Sequence, residues 1–359
     1  MSTTTSFAHP GSGAEYQAPL TFLRWVLAAF VLLAGVNIAL SLHFGAIKGD
    51  LARVGGFAER DYQPGRPQAP ARIAPNTVDV ADADVIVLGD SFSNKLLWQG
   101  ELEAVTGQRT LTYQYGQSGC VSNWLQWLHS LKLKPGAQVV IESSERSFIA
   151  RFNRMAACPK IVPVPVHRHL AEADAESTSW FDTGFSLDIA YQARVLLNSM
   201  RLRNQDAYGA GETVNVALKR SDRFTDRRAD RLLYHIDDEG KNDWTPAQVA
   251  NALAGLAAER AAFEASGQKF SVLVMPDKSS VYRDDIVAPR IGPSTITRQL
   301  QAAGLSDVDT LACFRSLATA MPDFYLPDDT HVGPAAFGLI GASIARGQCV
   351  AAPAAPAVN

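Results

Sequence analysis

The stretch Asp84–Ser93, DVIVLGDSFS, decides the fold. Its apolar run, Val85–Leu88, is short, mostly β-branched and uninterrupted by polar residues, the pattern of a strand buried on both faces. It runs straight into Gly89-Asp90-Ser91-Phe92-Ser93 and then a helical stretch. That order puts the Ser91 hydroxyl at the C-terminal edge of a parallel sheet, where the ligand sites of open α/β sheets lie. Outward from it the alternation repeats: TLTYQYG (Thr110–Gly116), AQVVIES (Ala137–Ser143) and KFSVLVMP (Lys269–Pro276) are further runs of this kind with helices between them. The prediction is an α/β fold, three layers in the order α/β/α around a mainly parallel sheet. Before the fourth run, a helix over Thr245–Ser266 has Thr245 as N-cap, Pro246 at its first position, Gln248 closing a capping box and Gly267 as its stop.

The chain has 359 residues, 47% of them hydrophobic, and a net charge of −3. That balance argues against a nucleic-acid binder and allows one large domain or two small ones. Residues 1–24 are a short polar tail, and WVLAAFVLLAGVNIALSL (Trp25–Leu42) is free of charge and long enough, at about 27 Å as a helix, to span a bilayer core. A single transmembrane anchor is expected, with a cleaved signal peptide as the rival. Residues 43–76, with Pro64, Pro67, Pro70 and Pro75, read as an extended linker. The folded domain is expected over 77–350, with an insertion at about 151–244, where the pattern turns irregular, and a disordered tail over 351–359.

Chemistry gathers at the two ends of that domain. Ser91 sits at a helix N-terminus, where backbone N–H groups favour a developing oxyanion. Near the other end YLPDDTHVGP places Asp329 and His331 two apart on a loop before an apolar helix. A serine nucleophile needs a base, and the base needs a carboxylate to orient it, so Ser91, His331 and Asp329 supply a complete triad. The bland alternative makes Ser91 an N-cap and the Asp-His pair a cap of the last helix. The turn Gly116-Gln117-Ser118-Gly119 can aim the Gly116 N–H at the same rim. Lys278 and Tyr282 after the fourth run are candidate substrate contacts or, equally, packed turn residues. His167 and His169 lack a carboxylate or cysteine at ligand spacing, so no metal and no cofactor is expected. Trp98, Trp124 and Trp127 read as core, and Lys219–Arg231, with six basic residues against three Asp, as a salt-bridged solvated face.

The blocks LGDSFS (Leu88–Ser93), G-x-S-G at Gly116–Gly119, ESSERSF (Glu142–Phe148), MPDKSSVY (Met275–Tyr282) and DDTH (Asp328–His331) resemble the SGNH (GDSL-type) hydrolase superfamily, and within it the alginate and cellulose O-acetyltransferase group. The resemblance covers most of residues 80–348. It implies Ser91 as nucleophile, His331 as base, Asp329 as orienting acid, and the backbone of Ser91 and Gly116 as oxyanion donors. It also implies work in the bacterial periplasm on an exopolysaccharide, from the inner membrane, with a separate multi-pass O-acyltransferase supplying acyl groups. Three departures stand out. Arg146 falls where the superfamily has an Asn donor, so the oxyanion hole is either completed by its guanidinium or incomplete, Val332 replaces the Trp usual after the His in the alginate enzymes, and the Asp-His pair follows the Ser where the alginate proteins place it before.

Lys48, Arg53 and Arg60 follow the apolar segment while Arg24 alone precedes it, which by the positive-inside rule leans toward a cytoplasmic domain. Export overrides that count because it makes the four cysteines legible as bridges 120–158 and 313–349, one of three pairings. The expected function is acyl transfer, as an O-acetyltransferase or acetylesterase. The alternative is a non-catalytic polysaccharide-binding or scaffold subunit.

Overall fold

The computed structural model describes residues 17–45, 48–114, 121–153, 155, 189–201 and 205–351. Helix α1 (Gln17–Phe44) contains the apolar run, now Pro19–Phe44, long and apolar enough to cross a membrane. Short helices α2 (Asp50–Gly55) and α3 (Glu59–Tyr62) follow. The α/β core then starts with β1 (Val85–Gly89), α4 (Ser91–Asn94), α5 (Leu97–Thr106), β2 (Thr110–Gln114), α6 (Val121–His129), β3 (Gln138–Ser144) and α7 (Phe148–Phe152). Helix α8 (Ile189–Arg201) leads into β4 (Ala207–Ala210), β5 (Thr213–Ala217) and β6 (Arg231–His235). The chain closes with α9 (Pro246–Ala265), β7 (Lys269–Met275), α10 (Lys278–Val281), α11 (Ile296–Ala302), α12 (Thr310–Ala320) and α13 (Pro334–Arg346).

The four expected strands form one sheet in the order β2-β1-β3-β7, parallel throughout. Its alternate residues sort to opposite faces, as the two-residue period of a strand requires. Val85, Val87 and Val140 pack under α12 and α13 with Phe314 and Phe337, while Ile86, Leu88 and Ile141 pack with Trp124, Leu256 and Phe263 from α6 and α9. Helices thus cover both faces, the predicted three layers. The capping box of α9 is present as read, the Thr245 hydroxyl accepting from the Gln248 N–H and the Gln248 side chain accepting from the Thr245 N–H. Trp98 and Trp124 are buried core residues.

Within 151–244 lies a second, antiparallel sheet, β4-β5-β6. Its Val214, Val216, Leu232 and Tyr234 share one core with the main sheet's Leu273 and Met275, so it is fused to the domain. The basic run on it is salt-bridged, Arg223 with Asp285 and Arg228 with Asp230, but Arg223, Asp226 and Arg231 are buried, against the expected solvated face.

The stretch 43–76 differs from the expected spacer. Leu51, Phe57 and Tyr62 bury against Leu233 of β6, and the Asn76 side chain bonds both the N–H and the C=O of Thr112 along the free edge of β2. These three apolar residues all precede Pro64, while the proline-rich part keeps Pro67, Pro70, Ile73 and Pro75 exposed, as an extended backbone allows.

Cys313 and Cys349 are bridged as predicted, tying α12 to the chain beyond α13 across 36 residues. Cys120 and Cys158 lie outside the described residues. Closing a loop of that length constrains the unfolded chain by on the order of 3–4 kcal/mol. Replacing both Cys313 and Cys349 by Ser should therefore lower the stability measured by urea titration by about that amount. Coincident titrations would show that the bridge contributes nothing.

Candidate active site

Strand β1 delivers Ser91 to the C-terminal edge of the sheet, as its first helical residue in α4, with the side chain exposed. The turn beneath it is held by carboxylates. Asp90, 9% exposed, caps α4 by accepting from the Phe92 N–H at 3.1 Å, and accepts from the Ser144 N–H at 2.8 Å and from Arg151 Nη1 at 2.6 Å. Burial pushes its carboxyl up, but the Arg151 charge and those amides outweigh burial and hold it below the usual range. Glu142, at the end of β3, accepts from the Asp90 N–H and from Ser93 Oγ, both at 2.8 Å. Full burial and then the Asp90 charge raise Glu142 well above the carboxylate range. Gly89 is required here: a Cβ would meet Ser93 Oγ at 2.4 Å and Glu142 Oε2 at 2.8 Å.

The loop before α13 brings the imidazole to this turn. His331 Nδ1 lies 2.6 Å from Asp329 Oδ1, and the same oxygen accepts the His331 N–H at 2.9 Å. The His331 ring packs on Phe92, the neighbour of Ser91, at 4.8 Å between centroids. Burial raises Asp329, but its hydrogen bond to His331 and the imidazole's charge pull it down to about 2. With Nδ1 engaged, His331 Nε2 is buried and without a hydrogen-bond partner among the described residues. The ring contact puts His331 beside the residue that follows Ser91, and no hydrogen bond joins Ser91 to His331 in this structure.

The Asp-His loop is clamped from two sides. From α2, Asp50 accepts from the Thr330 N–H at 2.8 Å and the Thr330 hydroxyl at 2.6 Å, and the Ala52 N–H donates to the Asp328 carbonyl at 3.1 Å. Glu59 Oε1 accepts from the Gly49 N–H at 3.1 Å, and burial followed by the neighbouring Asp328 carboxyl pushes Glu59 up to about 9. Gly49 makes the approach possible, since a Cβ there would meet the Asp328 carbonyl oxygen at 2.2 Å. From α10, Lys278 Nζ donates to the carbonyls of Leu326, Pro327 and Asp329 at 2.6, 2.8 and 3.3 Å. Burial lowers Lys278 to about 8 against the pull of Asp328 and Asp329.

Three expected positions need correction. Lys278 is 2% exposed and spent on carbonyls, and Tyr282 is 1% exposed and packed on Phe224 and Tyr325, so neither faces a substrate. Arg146 Nη1 lies 3.3 Å from Asp277 and 3.5 Å from Asp238, drawn into a buried ionic cluster with Lys241 and Glu145 rather than free to stabilise an oxyanion. The Gly116 turn, His167 and His169 lie outside the described residues. Sequence reasoning missed Arg151, Asp50 and Glu59; Arg151 was within reach as the nearest basic residue after the third block, whereas nothing local marks residues 50 and 59. Asp50, Asp329 and His331 also offer ligand atoms within 4.8 Å of one another, but Asp50 and Asp329 already accept protein donors, which fits an organic triad better than a cation.

Glu59 supplies a pH test. Its folded value lies above its unfolded one, so the folded chain holds a proton that the unfolded chain releases. Stability is complete below the unfolded value and declines as pH rises toward about 9. Glu59→Gln should flatten the fall in melting temperature between pH 5.5 and 8. Parallel wild-type and variant curves would exclude a raised Glu59 carboxyl.

No curated protein and no solved structure matches the chain. Residues 230–347, which run from β6 through α13 and hold Asp329 and His331 but not Ser91, match the family model described as an SGNH hydrolase-like domain of acetyltransferase AlgX, and over that stretch the resemblance read in the sequence holds.

Proposed function

We propose that the protein is a membrane-anchored acyl-transfer enzyme of the bacterial periplasm, an O-acetyltransferase or acetylesterase acting on an alginate- or cellulose-like exopolysaccharide. The observation that carries this is the Asp329–His331 pair with its Nε2 uncommitted, packed on the residue next to an exposed Ser91. α1 is the anchor, and the Cys313–Cys349 bridge suits an oxidising compartment.

In the first half-reaction His331 Nε2 removes the Ser91 proton as Oγ attacks the acyl carbonyl. The C–O bond to Ser91 forms, and the donor's leaving group departs with the proton from His331. In the second, His331 Nε2 deprotonates a sugar hydroxyl or water as its oxygen attacks the acyl carbon; the bond from that carbon to Ser91 Oγ breaks, and His331 returns the proton to Oγ. Asp329, ionised down to about pH 2, supports the imidazolium throughout. Backbone N–H groups at Ser91 and Gly116 are the proposed oxyanion donors. Two cavities, of about 340 and 490 Å³, are lined by other residues than Ser91 and His331. A multi-pass membrane O-acyltransferase is the proposed acyl supplier.

The missing Ser91–His331 hydrogen bond favours one rival, a scaffold subunit that binds polysaccharide without turning it over. Acetyl-ester hydrolysis or transfer separates the two: Ser91→Ala should lower kcat by about 10³-fold or more, and equal rates in both proteins would establish the rival. Asp50→Ala, which frees Thr330 beside the imidazole, should lower kcat about 10-fold with KM little changed, the effect of one lost hydrogen bond. Unchanged kcat would show that α2 does not position the base.

A further inference from the structure

Helix α8 has two apolar faces. At about 100° per residue, Tyr191, Val195 and Asn198 point one way, and all are buried, Tyr191 and Val195 against Phe44 and Ala58. Ile189, Leu196, Leu197 and Met200 fall together with Ala193 within another arc of about 100°. These four large side chains are 59, 43, 46 and 62% exposed. Arg194 and Arg201, both exposed, flank that arc on one side.

The position of α8 along α1 says what covers the arc. Gln192 Nε2 donates to Ser41 Oγ at 2.7 Å and to the Asn37 carbonyl and side-chain oxygens at 3.2 and 3.3 Å. Asn37, Ser41 and Phe44 are the buried positions of α1's last turns, while Ile38 and Leu42 on its other side are 44 and 67% exposed. At 1.5 Å per residue, Phe44 stands about 30 Å along the helix from Arg24, one bilayer core away. The contact with α8 therefore spans the last 10 Å or so of the apolar run, the depth that interfacial helices occupy. At that depth the polar atoms of Asn37 and Ser41 need protein partners, and Gln192 provides them.

We infer that α8 is an interfacial helix lying in the bilayer surface beside the anchor, its Ile189-Leu196-Leu197-Met200 face among the acyl chains and Arg194 and Arg201 at the phosphates. This rests on α1 spanning the membrane, and the face would turn the catalytic rim to a set height above the lipid.

The full chain, reconstituted in vesicles of phosphatidylcholine and phosphatidylglycerol, tests it with a nitroxide placed at L197C, V31C or R220C. Power saturation compares collisions with oxygen, which concentrates in lipid, and with a water-soluble nickel chelate. Val31 lies within the apolar run of α1 and Arg220 on the basic run of the second sheet, so they serve as lipid and water references. L197C should match V31C, with oxygen dominating the nickel complex by several-fold, and differ from R220C. If L197C matches R220C while V31C reports lipid, the interfacial helix is wrong and the anchor stands. Protection of L197C from both relaxants overturns it in favour of a protein covering that face. If V31C reports water, the anchor fails and the inference with it.

Discussion

Asp90 is a carboxylate buried at the end of the first strand, and a buried charge must be compensated where it sits. Arg151, the Ser144 amide and the Phe92 amide do this from three directions, tying β1, β3 and α7 to a single point under Ser91. Removing that compensation would leave the turn without a reason to hold its shape. The neighbouring Glu142, fully buried beside the Asp90 charge, is instead raised well above the carboxylate range, although Arg151 pulls it the other way.

The same rule organises the other half of the site. Lys278 is enclosed by carbonyls and carboxylates, so its cost of burial is repaid in geometry: it gathers Leu326, Pro327 and Asp329 around one nitrogen. Opposite it, Asp50, Glu59 and Asp328 join the segment directly after α1 to the loop that carries the imidazole. The segment that follows α1 and the loop that carries His331 are therefore packed together.

Much of this was legible in sequence where a local rule sufficed. The strand runs, the capping box of α9, the bridge from Cys313 to Cys349 and the burial of Trp98 and Trp124 each follow from spacing or residue type. The site was legible as an Asp-x-His pair and a serine after a strand. Less legible were the roles of charged side chains. Arg146 and Lys278 looked like cleft residues because their type allows it, and both turned out to serve acids and carbonyls from distant segments. Long cationic side chains reach any of several partners, and only the fold selects among them.

Alternating runs of apolar residues and turns determined by themselves an α/β chain with Ser91 at a sheet edge and one helix of membrane length, because strand period and helix caps are read within a few residues. Which arginine compensates Asp90, the burial of Leu51, Phe57 and Tyr62 against Leu233, the clamp of Asp50 on Thr330 and the pairing of Gln192 with Asn37 were decided only in three dimensions. Each joins residues from about 60 to 280 positions apart, and the free energy of such contacts depends on burial and geometry that no local pattern encodes.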